Sequence, residues 1–213
     1  MLIRYFMTTD VITLSPEQRC SDALKRLRDN HIRRAPVMDR GRLAGIVSER
    51  DLYRALARTP LRDSAYADEN ADTPVRQIMT VQVHAAGPND HLEKAARLML
   101  DHKIGGVPVL KEDKLAGMIT ESDIFKALWG ILSHKTSCRI LLFDKDGDKD
   151  VAQHDYIKLC LKHQCFINTF ISYPRPEGGH MHYICVKGAM VDDLIKELWS
   201  CPCDIMFVEK GDG

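Results

Sequence analysis

The sequence predicts a mixed α/β and α+β chain: two tandem strand-helix-strand-strand-helix units, then a β-α-β-β-α-β unit. Three observations carry this. Shifting the 213-residue chain by 72 positions aligns residues 7–56 with 79–128 without a gap, and sixteen of the fifty pairs are identical, where composition alone gives about three. After Leu132 the repeat is lost and the apolar pattern changes. Six of the seven cysteines fall after position 137, a compositional break at the same place. The predicted divisions are residues 1–58 and 74–132 for the repeats, 59–73 for a polar linker rich in Asp and Ala, and 137–210 for the last unit.

Each repeat reads as the same string of elements. A short strand (VITL, VHAA) and a proline turn precede a helix, marked by Ala23, Leu24 and Leu27 and their counterparts Ala95, Ala96 and Met99 at helical spacing. Pro36 and Pro108 exclude helix and open an extended pair, APVMD and VPVLK, which turns at RGR or EDK into LAGIVS or LAGMIT. A second helix starts at Ser48 and Thr120, whose hydroxyls can cap it, and runs through LYRAL and IFKAL. In the last unit RILLF, FINTFISYP, HMHYICVKG and CDIMFVE read as strands, VAQHDYIKLCLKHQC and MVDDLIKELWS as helices. That order is the split βαβ, or ferredoxin-like, arrangement.

Composition narrows the function. Thirty basic and thirty acidic residues cancel, so no global field draws the chain to nucleic acid or to an anionic membrane, and any anion site must be local. With 45% apolar and 28% charged residues it reads as a soluble globular protein. No apolar run approaches a membrane span and MLIRYFMTTD lacks the core of a secretory signal. The cysteines form no disulfide-like framework. A cytoplasmic location is expected.

The tandem pattern MT…V…P…A…PV…G(I/M)(V/I)(S/T)ExD over residues 1–130 resembles the cystathionine-β-synthase (CBS) domain pair, or Bateman module, whose members bind adenosine-containing ligands such as AMP, ADP, ATP or S-adenosylmethionine between the repeats and regulate something else. The resemblance implies an adenine nucleotide as regulatory ligand, with no cofactor required. By that analogy Asp51 and Asp123 hold ribose, Ser48 and Thr120 face phosphate, the backbone around Pro36 and Pro108 (Ala35, Val37, Val107, Val109) meets the adenine edge, and Thr13 and Ala85 touch the base from the other side. The residues themselves also admit a simpler role, a helix capping box in SERD and TESD, and both roles can hold together. HIRRAPV in one copy faces KIGGVPV in the other. Arg33, Arg34 and Arg50 therefore stand where the second copy has Gly105, Gly106 and Ser122. Guanidinium groups pair bidentately with phosphate, so the two sites should differ, the arginine cluster taking a di- or triphosphate and the other cleft being empty, structural or filled by a ligand with less negative charge. Solvated arginines at a helix end are the alternative.

Behind a CBS pair, the last unit resembles the ACT domain of acetoin-utilisation accessory proteins, which implies a second small-molecule site at the first strand-to-helix loop. Where that family favours Asp-x-Pro-Gly, this chain has Asp144-Lys-Asp-Gly147. The alternating Asp144, Asp146 and Asp148 suggest calcium, but Lys149 and Asp155 stand where an EF-hand needs Gly and Glu. The alternative reading of the unit is metal binding or sensing through His180, His182, Cys201 and Cys203. Exposed strand histidines and buried structural cysteines are the commoner explanation of such residues. No nucleophile, base and orienting group are recognisable, so an enzyme is not expected; Cys201 and Cys203 are the one redox candidate. A homodimer and a regulated protein partner are expected.

Overall fold

The computed structural model describes residues 1–58, 73–132, 137–145 and 149–211, in two compact units, Met1–Lys126 and Ala127–Gly213. The linker, apart from Thr73, and Asp146 and Asp148 of the acidic loop lie outside the described residues. Among the described residues no helix is long and apolar enough to cross a membrane.

In the first repeat α1 (Cys20–Asp29) leads to β1 (Arg34–Asp39), β2 (Arg42–Ser48) and α2 (Glu49–Arg58); in the second, α3 (Leu92–His102) leads to β3 (Gly106–Lys111), β4 (Lys114–Thr120) and α4 (Glu121–Leu132). α1 buries Ala23, Leu24 and Leu27 and α3 buries Ala95 and Met99, as the spacing predicts, while Ala96 is only half-buried. Full burial of Leu27 and Leu52 contributes about 1.5–3 kcal/mol each. Both hairpins turn through two residues of positive φ, Arg40-Gly41 and Glu112-Asp113, the signature of the twist-matched two-residue turn. Both carry an irregularity at the same place, Val37/Met38 and Val109/Leu110.

The first strands expected at VITL and VHAA are reduced to single parallel bridges, Leu14 with Val37 and Ala86 with Val109. Their bonds run to the Pro36 and Pro108 carbonyls and come from the Met38 and Leu110 N–H groups, at 2.8–3.0 Å. Pro16 and Pro88 stop the ladder there. Backbone groups alternate in direction along a strand, so Pro36 and Met38 face Leu14 while Ala35 and Val37 turn toward their β2 partners Val47 and Gly45. The expectation that Ala35, Val37, Val107 and Val109 keep free backbone groups is thereby corrected.

The two repeats exchange their lead-in segments. Ile3–Tyr5 and Val75–Gln77 each form one 3-10 turn. The Ile3 and Arg4 amides donate to the carbonyls of Asp90 and Pro88 in the second repeat, and those of Val75 and Arg76 to Gln18 and Pro16 in the first. Thr8 then pairs with Met118, and Thr80 with Ile46, each by two bonds of 2.9–3.0 Å. Gly45 and Gly117 permit this approach: a Cβ on Gly45 would stand 2.9 Å from the Thr80 carbonyl oxygen, and one on Gly117 2.7 Å from that of Thr8. Val75 is consequently part of the first repeat's core, beside Leu14, Leu27 and Leu52.

In the second unit β5 (Cys138–Asp144), α5 (Lys149–Lys162), β6 (Phe166–Pro174), β7 (His180–Lys187), α6 (Val191–Leu198) and β8 (Asp204–Glu209) follow one another. The sheet has the order β6-β7-β5-β8 with every neighbouring pair antiparallel. Cys138, Ile140 and Leu142 alternate into a core shared with Tyr156, Cys160, Ile184, Val186, Leu194 and Leu198. His182 lies on the same face as Ile184 and Val186 and is fully buried, contrary to the expectation of exposed strand histidines.

Candidate functional site

Because the lead-ins cross over, each cavity between the repeats takes its walls from both. The larger, about 610 Å³, joins Ser48, Arg50, Asp51 and Arg54 at the start of α2 to Thr80, Gln82, Val83 and His84 of the second lead-in and to Lys103, Ile104, Gly105, Gly106 and Pro108. The smaller, about 320 Å³, joins Thr120, Ser122, Asp123 and Lys126 to Thr8, Asp10, Val11 and Ile12, with His31 and Ile32. Both volumes fall in the range of small-molecule sites.

The carboxylates sit alike in the two cavities. Asp51 Oδ2 accepts from the Ser48 N–H at 3.0 Å and the Ser48 hydroxyl at 2.5 Å, while the Asp51 N–H donates back to Ser48 Oγ at 3.3 Å. Asp123 Oδ2 accepts from the Thr120 N–H at 3.0 Å and Oγ1 at 2.6 Å. The reciprocal capping expected of these residues is thus present at Ser48 and Asp51, and its carboxylate half at Thr120 and Asp123. It engages one carboxylate oxygen. Oδ1 of Asp51 has no hydrogen-bond partner among the described residues, and Oδ1 of Asp123 stands 3.6 Å from Lys126 Nζ.

The charged surroundings differ. Five cations (Arg33, Arg34, Arg50, Arg54, Lys103) and three acids (Glu49, Asp51, Glu121) line the larger cavity; three of each line the smaller. Arg33, Arg34, Gly105 and Glu121 belong to both walls. Arg34 reaches from the first repeat across the glycine pair of the second. A Cβ on Gly105 would collide with Arg34 Nη2 and stand 2.7 Å from Glu121 Oε2, and one on Gly106 would be 3.0 Å from Arg34 Cδ. Arginines in one copy and glycines in the other are therefore complementary in space: only one copy can fill the middle. Burial lowers the Arg34 pKa, Glu121 and Asp51 oppose this, and the like charge of Arg33 adds to it. A further anion beside Arg34 offsets part of that penalty.

Of the residues singled out in sequence, Arg33, Arg34, Ser48, Arg50, Asp51 and Pro108 come together in the larger cavity, and Thr120 and Asp123 in the smaller. Thr13, Ala35, Pro36, Ala85 and Val107 are on neither wall; Ala35 and Val107 are fully buried in the repeat cores. Sequence reading missed Arg54 and Lys126, which follow the aspartates by three positions on a helix face, and also Gln82, His84 and Lys103. His84 stacks on His102 with ring centroids 3.5 Å apart and planes 13° from parallel.

In the second unit a cavity of about 500 Å³ is lined by Cys138, Phe166, Lys187, Val191, Asp192 and Lys210. Among the described residues no group of three or more His, Cys, Asp or Glu is placed to hold a metal. All seven cysteines are free. Burial raises the thiol pKa of Cys201 and Cys203, the opposite of what a redox nucleophile needs, and pushes Cys160 up to about 11.

Comparison with known proteins agrees with the architecture of the paired repeats. The CBS domain model matches residues 3–58 and 75–130, and the chain belongs to the CBS-domain family. The CBS domain-containing protein YhcV of Bacillus subtilis is 30% identical over 118 residues, covering 55% of this chain and 79% of YhcV. Of two further curated relatives the chain spans only 45% and 23%. An acetoin-utilisation protein (AcuB) from Vibrio cholerae superposes with a TM-score of 0.53 at 32% identity, covering 62% of this chain and 93% of that one. The CBS pair of protein MJ0100, solved with 5′-methylthioadenosine and S-adenosyl-L-methionine, gives 0.52 at 26% identity, covering 61% and 97%.

Proposed function

We propose that this chain is a regulatory sensor of adenine nucleotides, binding a phosphate-bearing adenosine ligand in the larger cavity and passing the change in its CBS pair to a protein partner. The observation that carries the reading is the combination, in one cavity, of a capping carboxylate with an uncommitted oxygen and a surplus of cations. Asp51 Oδ1 accepts from the ribose hydroxyls, while Arg50, Arg54, Lys103 and the shared arginines take the phosphates. The smaller cavity, with balanced charge, suits an adenosine ligand of lower negative charge held by Asp123. The bound adenosine compounds of the MJ0100 pair support the ligand class.

The element order and strand order of the second unit support a ferredoxin-like, ACT-like reading, and we assign it the role of output or second-ligand domain in a homodimer. A ligand acts on such a module only through a difference in affinity for its two arrangements.

Thermal unfolding with AMP, ADP, ATP and S-adenosylmethionine tests the reading. A ligand at 100 times its Kd stabilises by about 2.7 kcal/mol, a rise of several degrees. The expected result is a larger rise with the phosphate-bearing ligands; no rise with any of the four rejects nucleotide sensing.

A further inference from the structure

We infer that the two cavities are coupled through the guanidinium of Arg34, and that the sign of the coupling is set by ligand charge. The inference rests on the nucleotide reading above and adds to it a rule for how the sites regulate one another. Arg34 and Glu121 face both cavities, and the Arg34 head group lies against Gly105, where the second repeat has no side chain of its own. The pseudo-symmetric partner of Arg34 is Gly106, so the pair of cavities has a single central guanidinium at this position instead of two.

A guanidinium is a planar fork whose paired N–H groups grip one phosphate at a time. An anionic ligand in the larger cavity draws Arg34 to that side. The smaller cavity then loses Arg34 while Arg33 and Lys126 stay on its wall, and with three acids (Asp10, Glu121, Asp123) against these two cations it binds a second anion less favourably. Two anionic ligands therefore oppose one another. A neutral adenosine compound makes no claim on Arg34 and binds either cavity independently of the other. Linkage makes the effect reciprocal, so each anion weakens the other by the same factor.

Calorimetric titration of the full chain tests this with ATP and with neutral 5′-methylthioadenosine. In the Asp51→Ala protein only the smaller cavity is left to bind, which gives its affinity with the larger one empty; the second step of the wild-type isotherm gives it with the larger one full. The expected result is a second ATP step about fivefold or more weaker than in Asp51→Ala, within the usual span of such couplings. For 5′-methylthioadenosine the two values agree within about twofold. Arg34→Met removes the difference for ATP. So does Gly105→Ala, whose new Cβ takes the place of Nη2 and confines the guanidinium to one side while leaving the fold intact, since only flexible side-chain ends must move. Equal ATP affinities in wild type and Asp51→Ala, a difference that persists in both variants, or ATP binding that never extends to the smaller cavity each overturns the coupling while leaving nucleotide sensing in place. Absence of any binding by wild type overturns both.

Discussion

The larger and smaller cavities start from the same scaffold and end with different chemistry. Each has an aspartate locked to a hydroxyl at a helix start, and each borrows its far wall from the opposite repeat. Yet one is ringed by a cationic surplus and the other is balanced. The duplicated fold is kept by what must be symmetric, the crossing lead-ins and the capped helices. The two halves differ at the central volume, which Arg34 fills and Gly105 and Gly106 leave open.

If the scaffold is symmetric, matched lesions should cost the same in both halves. Gly45→Ala and Gly117→Ala each press a Cβ against a backbone carbonyl oxygen across the repeat boundary, at 2.9 and 2.7 Å. Backbone cannot yield as a side chain does, so each should destabilise the first unit by about 1–3 kcal/mol in chemical denaturation, with the two values within about 0.5 kcal/mol of one another. A loss in only one variant would break the symmetry on which the comparison depends.

A smaller effect contrasts the unit of paired repeats with the second. His182 is fully buried among Tyr156, Phe170 and the strands of the sheet, and neither ring nitrogen has a hydrogen-bond partner among the described residues. Burial lowers its pKa and the nearby His180 adds to this, while Asp144 opposes it. The unfolded chain then takes up the proton first. The contribution of neutral His182 to stability is present above the ordinary histidine pKa of about 6.5 and is lost as pH falls below it. His182→Phe should flatten this acid-side loss in urea unfolding followed between pH 7 and pH 5, with little change at pH 7; an unaltered pH profile would show that His182 does not contribute to it.

The capping pair Ser48/Asp51 and its counterpart Thr120/Asp123 were legible in sequence because capping is local: four consecutive residues contain the whole motif. The hairpins were legible from proline, glycine and apolar alternation. His182 was legible in part, since HMHYICV alternates it with Ile184 and Val186 on the core face, a signal outweighed by the usual exposure of histidine. The exchange of lead-ins was not legible, because a repeat in sequence does not say which copy a segment packs against. His84 and Gln82 were missed for that reason, and Lys103 as well. Nor did the prolines reveal that Ala35 and Val107 turn their backbone toward the neighbouring strand, a matter of register. The contrast of RR with GG pointed to unequal sites, and the two cavity walls do differ in charge, but one side chain crossing into the other copy's vacancy is a fact of packing alone.

The most direct measurement is calorimetric titration of ATP into Asp51→Ala and Asp123→Ala proteins side by side. Each loses a cap of about 1 kcal/mol, so their stabilities should fall together. Their binding should not. Asp51→Ala is predicted to abolish the tighter ATP site, whereas Asp123→Ala should keep it within about twofold. Equal loss of ATP affinity in the two proteins, or a larger loss from Asp123→Ala, would contradict the account that the cationic surplus around Asp51 makes the larger cavity the phosphate-binding one.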